Sequence, residues 1–582
     1  MNKLLTLFTA LVILGGLALA QAPADTFVYQ SFSAGPVSLD PVRAYDSASG
    51  GILENIYETL YTFNDPAIDE FVPALATSYS VSEDGTTWTF QLRDGVQFHS
   101  GNTMSCKDVE YSLQYGLVVA HPEGAVSYLM GGQFLGTLAD GSDPEGYQAE
   151  VSWEMIDGAV ECPDGPDGLV VDLNITAPDP ALLAILAYTA FSVIDSQFAI
   201  ENGQWDGTEA TWTDWIGRNV TEEFLQRNAS GTGPYQLVEW TEEALVAKRF
   251  DDYWGGAAPI ENVVVQYVNE QSTRTLAIQQ GDADAIDVPE RASLVQLRGS
   301  PGVVIFEGDL PDTSIDNVFF NYAIDTSNNE DVGSGQLDGN GIPGDFFTDV
   351  NVRRGFAHLF DHQLIIDEIY EGNGYVVTMP MPAAFLGYNP DVPVRTLDLE
   401  AAEQYFRAAF GGELWEKGFE FTALHNAGNT RRQTALEVIK SNLEFLNPKF
   451  RMNVRGLPWS DFLARTGERK TPMFALGWGA DYADPKNFIN TFLDNDGFYS
   501  GRTSVDFPEI QALIDQADSI VDPAERAFLY KEIGILVYDL VPILPLPEQA
   551  NYLVVSDRLE GVYYNPIRSS DINFLWKDIS KN

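Results

Sequence analysis

The chain has 582 residues, 45% of them hydrophobic, with 50 glycines and 31 prolines. That is ample for a large core and too long for one ordinary domain, so two or three are expected. Lys and Arg total 33 against 85 Asp and Glu, a formal charge of −52, which excludes phosphate-backbone recognition and attraction to an anionic membrane surface.

Residues 1–22 read as a cleaved leader: Lys3, then a short apolar run, then Ala18-Leu19-Ala20 or Ala20-Gln21-Ala22 as the cleavage site. The run is too short for a comfortable membrane span, and no cysteine follows it. The expectation is a soluble protein exported to the periplasm or another extracytoplasmic space, and not a lipoprotein.

Residues 26–33 alternate like a strand, and residues 48–60 place Ile52, Ile56 and Leu60 on one helical face. Asp84-Gly85 is a tight hairpin signal between residues 79–81 and 87–92, with Trp88, Phe90 and Leu92 on one face. A helix is expected near residues 108–118. Residues 129–172, rich in Gly, Asp and Pro, read as surface loops, and a second such loop spans residues 325–345. Either could offer oxygen ligands to calcium, but neither matches the twelve-residue calcium loop. Further on, residues 235–240 and 245–250 suggest a hairpin, residues 350–370 one long helix, and residues 399–409, 430–446 and 506–517 further helices. Cys106 and Cys162 fit either a disulfide or two buried thiols.

Catalytic signals are sparse. His358 and His362 are four apart but lack the intervening glutamate of a zinc hydrolase. Gly231-Thr232-Gly233 runs straight into Pro234, so it is a turn, and no G-x-S-x-G elbow is present. The expectation is a protein that is not an enzyme and uses no cofactor or metal. Residues 473–488, MFALGWGADYADPKNF, read as a buried strand that ends in an aromatic and acidic elbow. Such an elbow suits a small ligand carrying a positive charge.

Pro73, Leu75, Ala76, Ser78 and Tyr79, then Asp84, Gly85, Trp88, Phe90, Leu92, Arg93, Gly95, Val96, Phe98 and His99, then Gly101, Asn102, Asp108 and Val109 stand in one order. This order resembles the signature of the family 5 extracellular solute-binding proteins, the dipeptide and oligopeptide receptors of ABC importers. The resemblance continues through Gly231–Tyr235, Asp252–Gly255, Val352–Ala357 and Gly477–Asp481. It implies an α/β fold of the periplasmic-binding-protein type II, two lobes and a hinge with the family's additional domain. One lobe would be discontinuous, at residues 23–64, 190–300 and 546–582; the additional domain would be 65–189 and the other lobe 301–545.

By the same resemblance Asp481 meets a peptide's amine, and Arg431 or Arg432, in the Asn429-Thr430-Arg431-Arg432 stretch, meets its carboxylate. Arginine suits that role because its planar fork holds a carboxylate bidentately. The residues leave open which of the two serves. Trp478, Gly479, Tyr482 and Trp459 are expected to border the ligand. The implied partners are a short peptide and the permease and ATPase subunits of an importer, with the protein acting as a monomer and binding no nucleic acid. The alternative is an oligosaccharide or another solute, since the chain carries 11 tryptophans; nickel and haem are disfavoured because the histidines do not cluster.

Overall fold

The computed structural model describes residues 22–32, 35–121, 127–218, 223–288, 291–308, 310–568 and 574–582. The leader read at residues 1–22 lies outside these except for Ala22, which packs with Val28, Ile278 and Leu294. No described helix is long and apolar enough to cross a membrane.

Three sheets organise the chain. The first has seven strands in the order Val303–Phe306, Leu553–Ser556, Ala285–Ile286, Thr26–Ser31, Asn262–Tyr267, Ala244–Arg249, Tyr235–Trp240. Thr26–Ser31 pairs in parallel with both neighbours. Its residues from Phe27 onward are all buried despite their alternating pattern, as expected for a parallel strand covered on both faces. Val303–Phe306, past the boundary drawn at residue 300, pairs with Leu553–Ser556 in this sheet.

The second sheet has the order Ala76–Val81, Thr87–Leu92, Val170–Asn174, Val160–Glu161. Asp84-Gly85 closes its hairpin with Gly85 at φ +77°, a conformation glycine adopts without strain. Trp88, Phe90 and Leu92 face inward, and Tyr79 stacks on Trp88 at 5.2 Å. Residues 129–172 are not surface loops: they hold the helices Pro144–Glu150 and Trp153–Ala159. The side chains of Asp143 and Ser152 cap these helices, and buried Tyr147 and Ile156 anchor them. The high Gly and Asp content marks caps and turns between short helices. Cys106 and Cys162 form a disulfide, with Cα atoms 5.8 Å apart.

The third sheet has the order Phe450–Leu457, Phe419–Asn426, Met473–Gly479, Ser314–Phe320, Ile543–Pro545. The expected long helix over residues 350–370 is two, Val350–Ala357 and His362–Glu368. Asp361 accepts from the Leu364 amide and starts the second helix, so a capping signal inside the apolar run breaks it. His358 and His362 therefore do not share a helical face. In the loop at residues 325–345, Arg455 and Arg465 each hold the fully buried Asp331 at 2.6 Å. Among the described residues no group of three or more His, Cys, Asp or Glu is placed to hold a metal ion.

Candidate ligand-binding cleft

Met473–Gly479 runs antiparallel to Ser314–Phe320, with Gly477 opposite Asp316. A Cβ on Gly477 would lie 2.2 Å from Asp316 Oδ1 and 3.0 Å from Arg432 Nη2. Glycine at this position lets an ion pair lie against the strand. Arg432 holds Asp316 through Nε at 2.9 Å and Nη2 at 2.7 Å, and donates from Nη1 to Asn426 at 2.9 Å. It is a brace between strands. Asn429 caps the helix Thr430–Leu446 by accepting from the Arg432 amide, which sets Thr430 and Arg431 in the first turn at a cavity of about 730 Å³. Burial works against the Arg431 charge, but Asp316, Tyr370 and Asp312 around it raise its proton affinity on balance.

Beyond the strand the chain turns, and the Ala480 amide donates to the Thr313 carbonyl at 2.9 Å. Asp481 follows, 9% exposed. Its Oδ1 accepts from the Tyr45 hydroxyl at 2.7 Å and its Oδ2 from Asn487 Nδ2 at 3.1 Å, while Asn487 Oδ1 accepts from the Asp481 amide at 2.9 Å. Burial pushes the Asp481 carboxyl up to about 6, against the lowering effect of the Tyr45 and Asn487 bonds. The carboxylate faces a cavity of about 240 Å³ whose walls include Tyr45, Glu54, Tyr188, Asp312 and Gly479. Asp312 lines this cavity and the larger one, so the two adjoin there.

The structure thus brings Asp481, Gly479 and Arg431 to adjoining cavities and places the other expected residues elsewhere. Trp478 is half-buried against Phe498 and Tyr499, its ring 5.3 and 6.2 Å from theirs, and donates to Asn487 at 3.2 Å. Tyr482 is buried in the core built around the seven-stranded sheet. Trp459 is 52% exposed and leans on Phe462; it lines neither cavity. The elbow's second acid, Asp484, is spent on Arg526 through two bonds of 2.7 Å.

Sequence reasoning missed Tyr45, Asn487, Asp312 and Glu548. Asn487 was in view, inside the elbow motif, where the start of the helix Lys486–Leu493 explains it equally well. Tyr45 lies 436 residues from its partner, and nothing local marks it. Buried Glu548 accepts from the Tyr375 hydroxyl, from the Asp312 amide at 3.0 Å and from the Ala383 amide at 3.3 Å. Burial moves its carboxyl up to about 7.

Residues 70–500 match the family described as bacterial extracellular solute-binding proteins, family 5 middle. The chain belongs to that family. Heme-binding protein A of Haemophilus influenzae is 25% identical over 551 residues, covering 93% of this chain and 90% of the relative. The dipeptide-binding protein of Escherichia coli is 25% identical over 568 residues, 94% of each chain. Among solved structures, HbpA2 of Haemophilus parasuis superposes with a TM-score of 0.72 at 23% identity, covering 96% of this chain and all of that one. DppA of Helicobacter pylori in complex with the peptide STSA gives 0.67 at 22% identity over 96% and 98%. This family 5 solute-binding protein therefore has the fold of those two proteins, and its elbow and arginine stretch lie in the interval the family match covers, residues 70–500.

Proposed function

We propose that this family 5 protein captures short peptides in the cleft and delivers them to an ABC importer. The observation that carries the reading is the placement of Asp481 and Arg431 on adjoining cavities that meet at Asp312. A free peptide is a zwitterion whatever its side chains, and burying its termini is tolerable only if each is paired. Asp481 supplies the anion for the amine. Arg431, in the first turn of a 17-residue helix, supplies a bidentate fork where the helix dipole also favours a carboxylate. The larger cavity leaves room for side chains, which suits a receptor that reads termini more than sequence.

The names of the E. coli relative and the H. pylori complex point the same way. The H. influenzae relative is named for haem, but among the described residues no histidine lines either cavity here. On this reading the seven- and five-stranded sheets are the cores of two lobes, the four-stranded sheet that of the additional domain, and the lobes close about a hinge. The first lobe then takes in the strand Val303–Phe306. The protein works as a monomer outside the cytoplasm and changes no bond in its ligand.

Calorimetry with Ala-Ala, N-acetyl-Ala-Ala and Ala-Ala-amide tests the reading, beside a maltooligosaccharide pool. The free dipeptide is expected to bind, each block is expected to weaken it by at least tenfold, and the ligand is expected back intact. Binding of sugars alone, or of blocked and free peptides equally, overturns it.

A further inference from the structure

The charges of the cleft are not balanced by two peptide termini. Two arginines on its walls, and Arg432 behind them, are already committed. Arg432 is bound to Asp316. Arg291 is bound to Glu307 and the Ala550 carbonyl and stacked 4.5 Å over the Tyr552 ring. Arg568 is bound to Asp65 and lies 3.8 Å from Glu54. Arg431, on the wall of the larger cavity and hydrogen-bonded to the Tyr370 side chain, is among the described residues in no ion pair of the kind the other three make; it feels the charge of Asp316 first and then that of Asp312 before any ligand arrives.

Asp312 is held in place. Its Oδ1 accepts from the Ser314 amide at 3.0 Å, and its own amide donates to buried Glu548 at 3.0 Å. A ligand carboxylate that takes the Arg431 fork strips Asp312 of that counter-charge. It also adds an anion to a neck where Asp312 already faces both cavities, with Asp481 in one of them. A like charge placed there is repelled, and a cation relieves the excess.

We infer that Asp312 is a specificity-determining residue, selecting peptides with a lysine or arginine side chain over neutral and acidic ones. The inference rests on the peptide reading above. The net charge of −52 acts in the same direction at longer range, drawing cationic ligands to the cleft. Burial already raises the Asp312 carboxyl; a cation beside it favours the ionised form again.

The test is calorimetry of the whole mature chain with Ala-Lys, Lys-Ala, their norleucine isosteres and their glutamate counterparts. At least one lysine peptide is expected to bind tenfold or more tighter than its norleucine isostere, with the glutamate peptides weakest. In Asp312→Asn the ratio of lysine to norleucine affinity is expected to fall within threefold of one, whatever change in affinity the two peptides share. Asp312→Glu, which keeps the charge, retains the preference, and a circular-dichroism melt of each variant confirms folding. Absence of a lysine preference in the wild type overturns the inference, as does its survival in Asp312→Asn or an equal loss of all peptides in that variant. Failure of every peptide, norleucine isosteres included, to bind the wild type brings down the peptide reading itself.

Discussion

Replacing Asp481 with asparagine is expected to weaken binding and stabilise the empty protein, with a sign that depends on pH. Burial holds the carboxyl at about 6 instead of 3.8, which corresponds to roughly 3 kcal/mol of cost to the folded state when the group is ionised. Because the folded-state value is raised, the native protein binds the extra proton between about pH 4 and 6. The cost is therefore absent below the unfolded value and complete above about 6. Asparagine carries no such cost. It can keep an oxygen toward Tyr45, but its amide meets the Asn487 amide, which now donates at 3.1 Å; one lost bond costs about 1 kcal/mol. Asn487 cannot simply turn over, since its oxygen already accepts from the Asp481 amide and from Trp478. The net expectation is a gain of about 2 kcal/mol at pH 8 and a loss of about 1 kcal/mol near pH 4, read by urea unfolding of the ligand-free protein at both pH values. Dipeptide affinity should fall by about 2–4 kcal/mol, as when one member of a buried charge pair is truncated. A stability difference that is the same at both pH values would refute the reasoning, because it would mean Asp481 is not held as a costly buried charge.

Five further outcomes follow from the same geometry. Arg431→Ala should lose the distinction between Ala-Ala and Ala-Ala-amide in calorimetry. Arg432→Ala should instead lose about 3 kcal/mol of stability, since it leaves Asp316, 12% exposed, without its partner. Dipeptide affinity of the wild type should drop about tenfold between pH 7 and pH 5 as Asp481 takes up its proton near 6, a slope that calorimetry should find missing in Asp481→Asn. Replacing both Cys106 and Cys162 by serine opens a loop with a sequence separation of 56 and should cost about 4 kcal/mol in unfolding experiments. Lys486→Met breaks a 2.8 Å ion pair with buried Asp179, on the chain that carries the four-stranded sheet, and should weaken peptide binding several-fold with the contact residues intact.

The strand-rich signature and the elbow were legible because their signals are local. Asp84-Gly85 can make only a tight turn, and Trp88, Phe90 and Leu92 share a face whatever surrounds them. The helix Pro523–Leu540 went unread because its apolar residues circle the helix instead of forming a stripe, and proline at its start reads as readily as loop. Arg431 and Arg432 could not be separated in the sequence: one place along a helix start turns a side chain from the cavity to the strand, and Asp316 and Gly477 decide which is which. Tyr45, Asp312 and Glu548 reach the site from segments far apart in the chain, and each is an ordinary polar residue in its own neighbourhood. Trp459 and Tyr482 looked like ligand contacts because exposed and buried aromatic residues have the same letter.

Residues 478–482 begin in one core and end in another: Trp478 packs against the cluster around Phe474 and Phe488, and Tyr482 belongs to the cluster around Phe27 and Trp576. The residue offered to the ligand sits between these two moorings. Descendants of this chain are therefore poorly placed to acquire new ligands by altering the elbow, because each change there also alters how the halves of the molecule meet. Divergence has more freedom away from the elbow, at Glu371 for example, an exposed loop residue on the wall of the larger cavity.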